Sequence, residues 1–127
     1  MRGSGGAMMA RPCVLVVDDD QDFQKFLTVL LTGEGYDITA TDSVIGARRL
    51  ARRLQPGAIL LDLGLPYRTG ASLLGELKAD PRTAHIPVIV VSGMPDALPG
   101  PRRALAAGII RKPFEVQTLL DALRIVV

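Results

Sequence analysis

Residues 14–23 read VLVVDDDQDF, so that an apolar run leads directly into three consecutive carboxylates, Asp18 to Asp20. An unbroken apolar run of this kind is typical of a strand that is covered on both faces. Like charges this close together oppose one another's ionisation unless a cation or hydrogen-bond donors lie among them. The stretch therefore predicts a buried strand that ends at a cation site, although Asp19 or Asp20 would also serve as the N-cap of the next helix.

The length and composition of the chain favour a single domain. It has 127 residues, which is enough for one hydrophobic core and too few for a second. The first ten residues, MRGSGGAMMA, show no periodicity, so we interpret 1–10 as a disordered expression leader and expect the domain to cover 11–127. The formal net charge is +2, which gives no reason to expect direct binding to nucleic acid. No apolar stretch is long enough to span a bilayer, so we expect a soluble, cytoplasmic protein that makes no membrane contact.

Three features outside the acidic stretch receive structural interpretations. Cys13 lies in an apolar run and is predicted to be a buried core thiol in a reducing compartment. His85 has no other nitrogen or sulfur ligand near it in the sequence, which argues against a transition-metal site. Four arginines fall on one side of a helical segment and indicate a solvated face, with docking of an acidic partner as the alternative. They are Arg48, Arg49, Arg52 and Arg53.

Short apolar runs alternate with longer segments of helical periodicity along the domain. The predicted strands are Cys13–Val17, Tyr36–Ala40, Ala58–Leu61, Pro87–Val91 and Gly108–Ile110. Several of them are apolar at consecutive positions, as expected for a parallel sheet with helices on both faces. The pattern predicts an α/β fold made of five successive βα units. After the fourth strand, Pro95, Pro99 and Pro101 exclude a regular helix until about Pro101, so the fourth helix should be only about two turns long.

Polar side chains follow four of the predicted strands. They are Asp18 and Asp19 after the first strand, Asp62 after the third, Ser92 after the fourth and Lys112 after the fifth. Ligands of open parallel sheets bind beyond the carboxyl ends of the strands, so these side chains should meet at one edge. Three carboxylates there suit Mg²⁺, which prefers oxygen ligands and keeps several waters. Asp62 would then be a nucleophile toward phosphorus, with Lys112 and Ser92 bound to phosphoryl oxygens.

The motifs VVDDD, LLDLGLP, VSG and RKPF, in this order and spacing, resemble the receiver domain of two-component response regulators from Pro12 onwards. The resemblance implies a flavodoxin-like (βα)5 three-layer sandwich with the strand order 2-1-3-4-5. It implies that Asp62 is the phosphoacceptor, Ser92 the hydroxyl switch and Lys112 the phosphate-sensing lysine. The implied Mg²⁺ ligands are Asp18, acting largely through water, Asp19, Asp62 and the backbone carbonyl of Gly64.

The resemblance also implies partners and a switching region. A sensor histidine kinase or a phosphotransfer protein would act upstream, and an output domain or protein downstream. The domain would catalyse only its own phosphorylation and dephosphorylation, which would switch the region of the fourth helix, fifth strand and fifth helix. The Lys112-Pro113 bond is expected to be cis. Ile109 occupies the family's aromatic switch position and, being stiff and without a ring, is expected to stay buried in both states.

Two alternatives stay open on the sequence. A pseudo-receiver would have the same fold without phosphoryl turnover, but such domains usually lose an acid or the lysine, and both are present here. A haloacid-dehalogenase-like phosphatase would carry its aspartyl nucleophile after the first strand, at Asp18 of the pair Asp18-x-Asp20. That family needs a further acidic pair after a later strand, where Asp96 stands alone in this sequence.

Overall fold

The computed structural model describes residues 11–65 and 69–127, and the predicted leader lies outside them. Within these residues the strands form one parallel sheet in the order 2-1-3-4-5. The strands are β1 (Cys13–Val17), β2 (Asp37–Thr41), β3 (Ala58–Leu61), β4 (Val88–Ser92) and β5 (Gly108–Arg111). The helices are α1 (Gln21–Gly33), α2 (Val44–Leu54), α3 (Thr69–Ala79), α4 (Gly100–Arg103) and α5 (Val116–Val126). The predicted fold class and strand order are confirmed.

Helices cover both faces of the sheet, which explains the consecutive apolar residues of its strands. Successive side chains of a strand point to opposite faces. In β1, Leu15 and Val17 pack on the side of α2 and α3, whereas Val14 and Val16 pack on the side of α1 and α5. Two hydrophobic cores result, one on each side of the sheet, and they hold β1 and β3 at its centre.

The strand boundaries differ from the predicted ones by at most one residue at either end. β1 and β3 are as predicted, β2 and β4 lie one residue later, and β5 continues to Arg111. At β2 the reason is a competing hydrogen bond: the Tyr36 N–H donates to Leu31 O at the end of α1, at 3.0 Å. Pairing therefore begins at Asp37, whose N–H reaches Pro12 O at 2.9 Å. The predicted boundary was wrong by one residue because hydrophobic pattern alone does not show such bonds.

The fourth helix is shorter than predicted. A 3-10 turn, Pro95–Ala97, precedes it, and α4 itself has four residues, about one turn instead of two. The chain leaves the helix early because the Ala107 N–H already donates to Val88 O of β4, at 2.8 Å. The segment between Ser92 and β5 is therefore mostly turns.

Two burial predictions were wrong for related reasons. Cys13 is half-buried rather than a core thiol, because it begins β1 at the rim of the sheet. Its partial burial and the nearby Asp37 carboxylate raise the pKa of its thiol. Ile109 is also only half-buried, since β5 is an edge strand and the single turn of α4 covers little of it.

The arginine-rich side of α2 is solvated only in part. Arg49, Arg52 and Arg53 are exposed, as predicted, and Arg48 is half-buried. Two of the four make ion pairs with α3 and the turn after it: Arg48–Glu76 at 2.7 Å and Arg52–Asp80 at 3.1 Å. The predicted solvated face is therefore confirmed for three of the four arginines, and the ion pairs were not predicted because sequence periodicity does not show which acidic residues a neighbouring helix presents. None of the helices in the described part of the chain is long and apolar enough to cross a membrane.

Candidate functional site

An acidic cluster lies where β1 and β3 end side by side. Val17 and Leu61 are paired at the ends of these strands, so that Asp18, Asp19 and Asp62 follow at the same edge. Each of the three offers a carboxylate oxygen, and these oxygens all lie within 4.8 Å of one another. Asp18 is buried, the Asp62 side chain is mostly buried with 11% exposed, and Asp19 is exposed. The three carboxylate residues expected to bind a metal ion are therefore brought together, two of them largely buried and Asp19 at the surface.

Backbone hydrogen bonds orient the buried carboxylate of Asp18. Its N–H donates to Thr41 O of β2 at 3.1 Å, which continues the sheet by one residue. Its Oδ1 accepts the Asp20 N–H at 2.9 Å, and its Oδ2 accepts from Lys112 Nζ at 2.8 Å. A charged group this deeply buried needs such partners, because desolvation without them is costly.

Asp20, the third carboxylate of the sequence Asp18 to Asp20, has a different structural role. Asp20 is the N-cap of α1, and its Oδ1 accepts the N–H groups of Asp22 at 3.0 Å and Phe23 at 3.2 Å. These are two of the donors that the first turn of a helix leaves without intrahelical partners. The capping alternative is therefore right for Asp20, while Asp18 and Asp19 belong to the cluster.

Asp62 is held by the turn that follows β3. Its N–H donates to Val17 O at 2.9 Å, and its Oδ1 accepts the Gly64 N–H at 3.0 Å. Gly70, at the start of α3, packs against this turn so closely that an added Cβ would lie 2.6 Å from both Asp62 O and Leu63 Cα. Sequence reasoning missed Gly70, and its only signal was a glycine at the start of a helical segment.

Lys112 reaches the cluster from the end of β5. Its N–H donates to Ser92 O at 2.8 Å, and its bond to Pro113 is cis, as predicted. The Lys112 ammonium lies 2.8 Å from Asp18 Oδ2 and 3.8 Å from Asp62 Oδ2. It also lies over the ring of Phe23, 4.0 Å from the ring centroid. The sequence pattern predicts only that Phe23 is an apolar residue of α1, because nothing local in the sequence shows what its ring faces.

Ser92 completes the site at the end of β4. Its side chain is buried, and its Oγ accepts the Met94 N–H at 3.1 Å. Asp62, Ser92 and Lys112 line one cleft of about 420 Å³, together with Gly64. A nucleophilic carboxylate, a hydroxyl and an ammonium thus share one cleft beside the acidic cluster, a combination suited to a phosphoryl group and a divalent cation.

The sequence profile described as the response regulator receiver domain matches residues 14–124. The chain belongs to this receiver family. Its relatives include two transcriptional regulators, and the receiver spans about half the length of each. One is the DNA-binding dual master transcriptional regulator RpaA of Synechocystis sp., 34% identical over 116 residues, which are 89% of this chain and 48% of that protein. The other is the transcriptional regulatory protein KdpE of Mycobacterium tuberculosis, 36% identical over 114 residues, which are 87% of this chain and 49% of that protein.

A solved receiver domain with a metal ion gives a structural comparison. It belongs to a sensor histidine kinase from Pseudomonas aeruginosa and has magnesium coordinated in its active-site cleft. The TM-score is 0.80 at 30% identity, and the match covers 92% of this chain and 98% of the other. The present receiver is thus a signalling domain of two-component systems, and such domains work with histidine kinases.

Proposed function

We propose that Asp62 of this receiver accepts a phosphoryl group from the phosphohistidine of a sensor histidine kinase or phosphotransfer protein. The observation that supports the proposal most is the shared cleft, in which the Asp62 carboxylate faces Lys112 and Ser92. Beside it lie Asp18 and Asp19, whose oxygens are within 4.8 Å of an Asp62 oxygen. Asp62 is therefore the acid that both sets of groups surround.

The transfer itself exchanges one bond for another. An Asp62 carboxylate oxygen attacks the phosphorus, the bond from phosphorus to the histidine nitrogen breaks, and its electron pair returns to the imidazole. An acyl phosphate forms on Asp62, and water later attacks it to release phosphate. Oδ2 is the oxygen we assign to the new bond, since Oδ1 already accepts the Gly64 N–H. Oδ2 also lies 3.8 Å from the Lys112 ammonium, which is then placed to bind a phosphoryl oxygen.

The acidic cluster fits Mg²⁺. Its donors are carboxylate oxygens, which are the hard ligands that Mg²⁺ prefers, and the buried Asp18 already accepts a cationic group at 2.8 Å. We assign Asp18, Asp19, Asp62 and the Gly64 carbonyl as the groups that would hold it. When bound, Mg²⁺ supplies positive charge that neutralises the oxygens of the transferred group.

Signalling would follow from a change at Ser92. In the present state its Oγ accepts the Met94 N–H, so the hydroxyl belongs to the turn after β4. A phosphoryl group on Asp62 gives this hydroxyl an acceptor across the cleft. Rotation of Ser92 toward that acceptor breaks the bond to Met94 and shifts the balance between two arrangements of residues 92–108, next to β5 and α5. The signal then passes to an output domain or protein by protein contact, and not directly to nucleic acid or a membrane.

The experiment is phosphorylation by acetyl phosphate with Mg²⁺, followed by mapping of the label. We expect label on Asp62 and none in Asp62→Asn, because an amide is not a carboxylate nucleophile. Asp20→Asn is the matched control: it alters a neighbouring acid, preserves a good N-cap and should be labelled like the unchanged protein. Label on Asp18 would instead indicate a phosphatase-like nucleophile. No label with Mg²⁺ bound would indicate a pseudo-receiver.

A further inference from the structure

The chain's three phenylalanines all lie at one corner of the site. Phe23 is in the first turn of α1, and Phe114 follows the cis Lys112-Pro113 bond. Their rings meet edge to face, with centroids 6.1 Å apart and an interplanar angle of 83°. Phe26 lies on the outer side, 6.1 Å from Phe23 and tilted by 34°. The Phe23 ring is thus held from two sides.

The face of the Phe23 ring is turned toward the Lys112 ammonium, 4.0 Å from the ring centroid. An aromatic ring carries negative charge on its face, and a cation within about 6 Å of the centroid is attracted to it. The same ammonium lies 2.8 Å from Asp18 Oδ2 and 3.8 Å from Asp62 Oδ2. Two carboxylates and one aromatic face therefore determine the position of the Lys112 ammonium.

A divalent cation bound in the acidic cluster affects these three contacts of Lys112 differently. Asp18 and Asp62 are both proposed ligands of that cation, so the attraction of each carboxylate for Lys112 is weakened by a doubly charged competitor. The Phe23 ring presents no oxygen ligand to Mg²⁺, so its attraction for the ammonium persists. A leucine of similar burial would leave the ammonium without this partner.

We propose that Phe23 is a positioning residue for Lys112: its ring keeps the ammonium beside Asp62 Oδ2 when Mg²⁺ engages Asp18. The inference rests on the proposed function, because Lys112 matters there as the partner of the phosphoryl group. The N-cap contributes indirectly. Asp20 Oδ1 accepts the Phe23 N–H at 3.2 Å, so the third carboxylate of the opening stretch fixes the first turn that carries the ring.

The first test is spectroscopic and does not require phosphorylation. A proton above a ring face is shifted upfield, so the Lys112 side-chain CεH₂ signal should be upfield of the chain's other lysines, both without and with saturating Mg²⁺. Phe23→Leu should abolish the upfield shift, and Phe23→Tyr should restore it. Phe26→Leu, in the adjacent ring that does not cover Lys112, should leave it unchanged. If Mg²⁺ alone removes the shift in the unchanged protein, the ammonium leaves the ring and the inference is wrong.

The second test measures affinity for beryllofluoride, a phosphoryl mimic, at saturating Mg²⁺. Phe23→Leu should weaken binding about threefold to tenfold, while Phe26→Leu and Phe23→Tyr stay near the unchanged protein. Equal affinity of Phe23→Leu and Phe26→Leu, in variants shown to be folded by circular dichroism, would overturn the inference. Failure of the proposed function has a different signature: the unchanged protein itself would neither bind beryllofluoride nor accept label at Asp62.

Discussion

The acidic edge formed by β1 and β3 and the segment from Ser92 to Arg111 lie side by side but are held in different ways. Every residue of β3 is buried, and Asp18 is buried with partners for both of its carboxylate oxygens. In the second region, β5 buries one residue fully, and Met94 is 71% exposed. Its turns are joined to β5 by Asp96, which pairs with Arg103 at 3.2 Å and with Arg111 at 3.1 Å.

The comparison indicates that phosphoryl transfer and conformational switching are located in different regions of the receiver. The central strands are covered on both faces, and the side chains of Asp18 and Asp62 at their ends are held by hydrogen bonds, so these two carboxylates have little freedom to move. The segment that follows β4 buries Leu98 in the core, but otherwise consists mostly of turns and of ion pairs open to water, which are individually weak. A phosphoryl group placed between the two regions should therefore rearrange the second region and leave the first in place.

The largest expected effect is on stability and compares one residue type in the two regions. Ile59 of β3 is 0% exposed, whereas Ile109 of β5 is half-buried. Ile59→Ala should lower the free energy of unfolding by about 2–5 kcal/mol, because it leaves a cavity between the sheet and α3. Ile109→Ala should cost only about 1 kcal/mol, because less apolar surface is lost. Urea unfolding measures both free energies. Equal losses in the two variants would contradict the inference that the centre of the sheet is better packed than its β5 edge.

A second effect concerns the metal site. Asp19→Ala removes an exposed ligand and should weaken Mg²⁺ binding about tenfold or more, since even supporting residues of metal sites are worth that much. Asp20→Asn, which changes the adjacent acid without disturbing the cap, should bind Mg²⁺ as before. Titration followed by amide chemical shifts measures both affinities. Unaltered binding in Asp19→Ala would remove Asp19 from the ligand set.

The smallest effect concerns the ion pairs of Asp96. Asp96→Asn should speed amide exchange over residues 95–103 about twofold to fivefold, as expected for the loss of exposed pairs. Beryllofluoride should move signals at 92–108 in both proteins. The matched control is Asp121→Asn, which breaks a similar exposed pair with Arg124 on α5. If Asp121→Asn speeds amide exchange over residues 95–103 as much as Asp96→Asn does, the ion pairs of Asp96 do not stabilise this segment.

Much of the receiver could be predicted because the relevant rules act along the chain. Consecutive apolar residues located the buried strands β1 and β3 with their observed bounds. Because the carboxyl ends of parallel strands lie at the same edge of a sheet, the sequence predicts that Asp18, Asp62 and Lys112 lie close together. The burial of Cys13 and Ile109 was predicted wrongly, because both are apolar residues in strands and their exposure depends on which elements cover the rim and the edge of the sheet.

The alternation of strands and helices can be predicted from the chain alone, because burial on two faces requires apolar residues at successive positions, and the polar residue types at the strand ends are likewise visible there. The different roles of the three adjacent carboxylates depend on how the chain packs. Asp18 turns inward to Lys112 while Asp20 caps α1. Packing also places the ring of Phe23 against that same lysine. The physical reason is that neighbours in sequence diverge where a strand gives way to a helix, and contacts between distant residues arise only when the packed sheet brings their elements together.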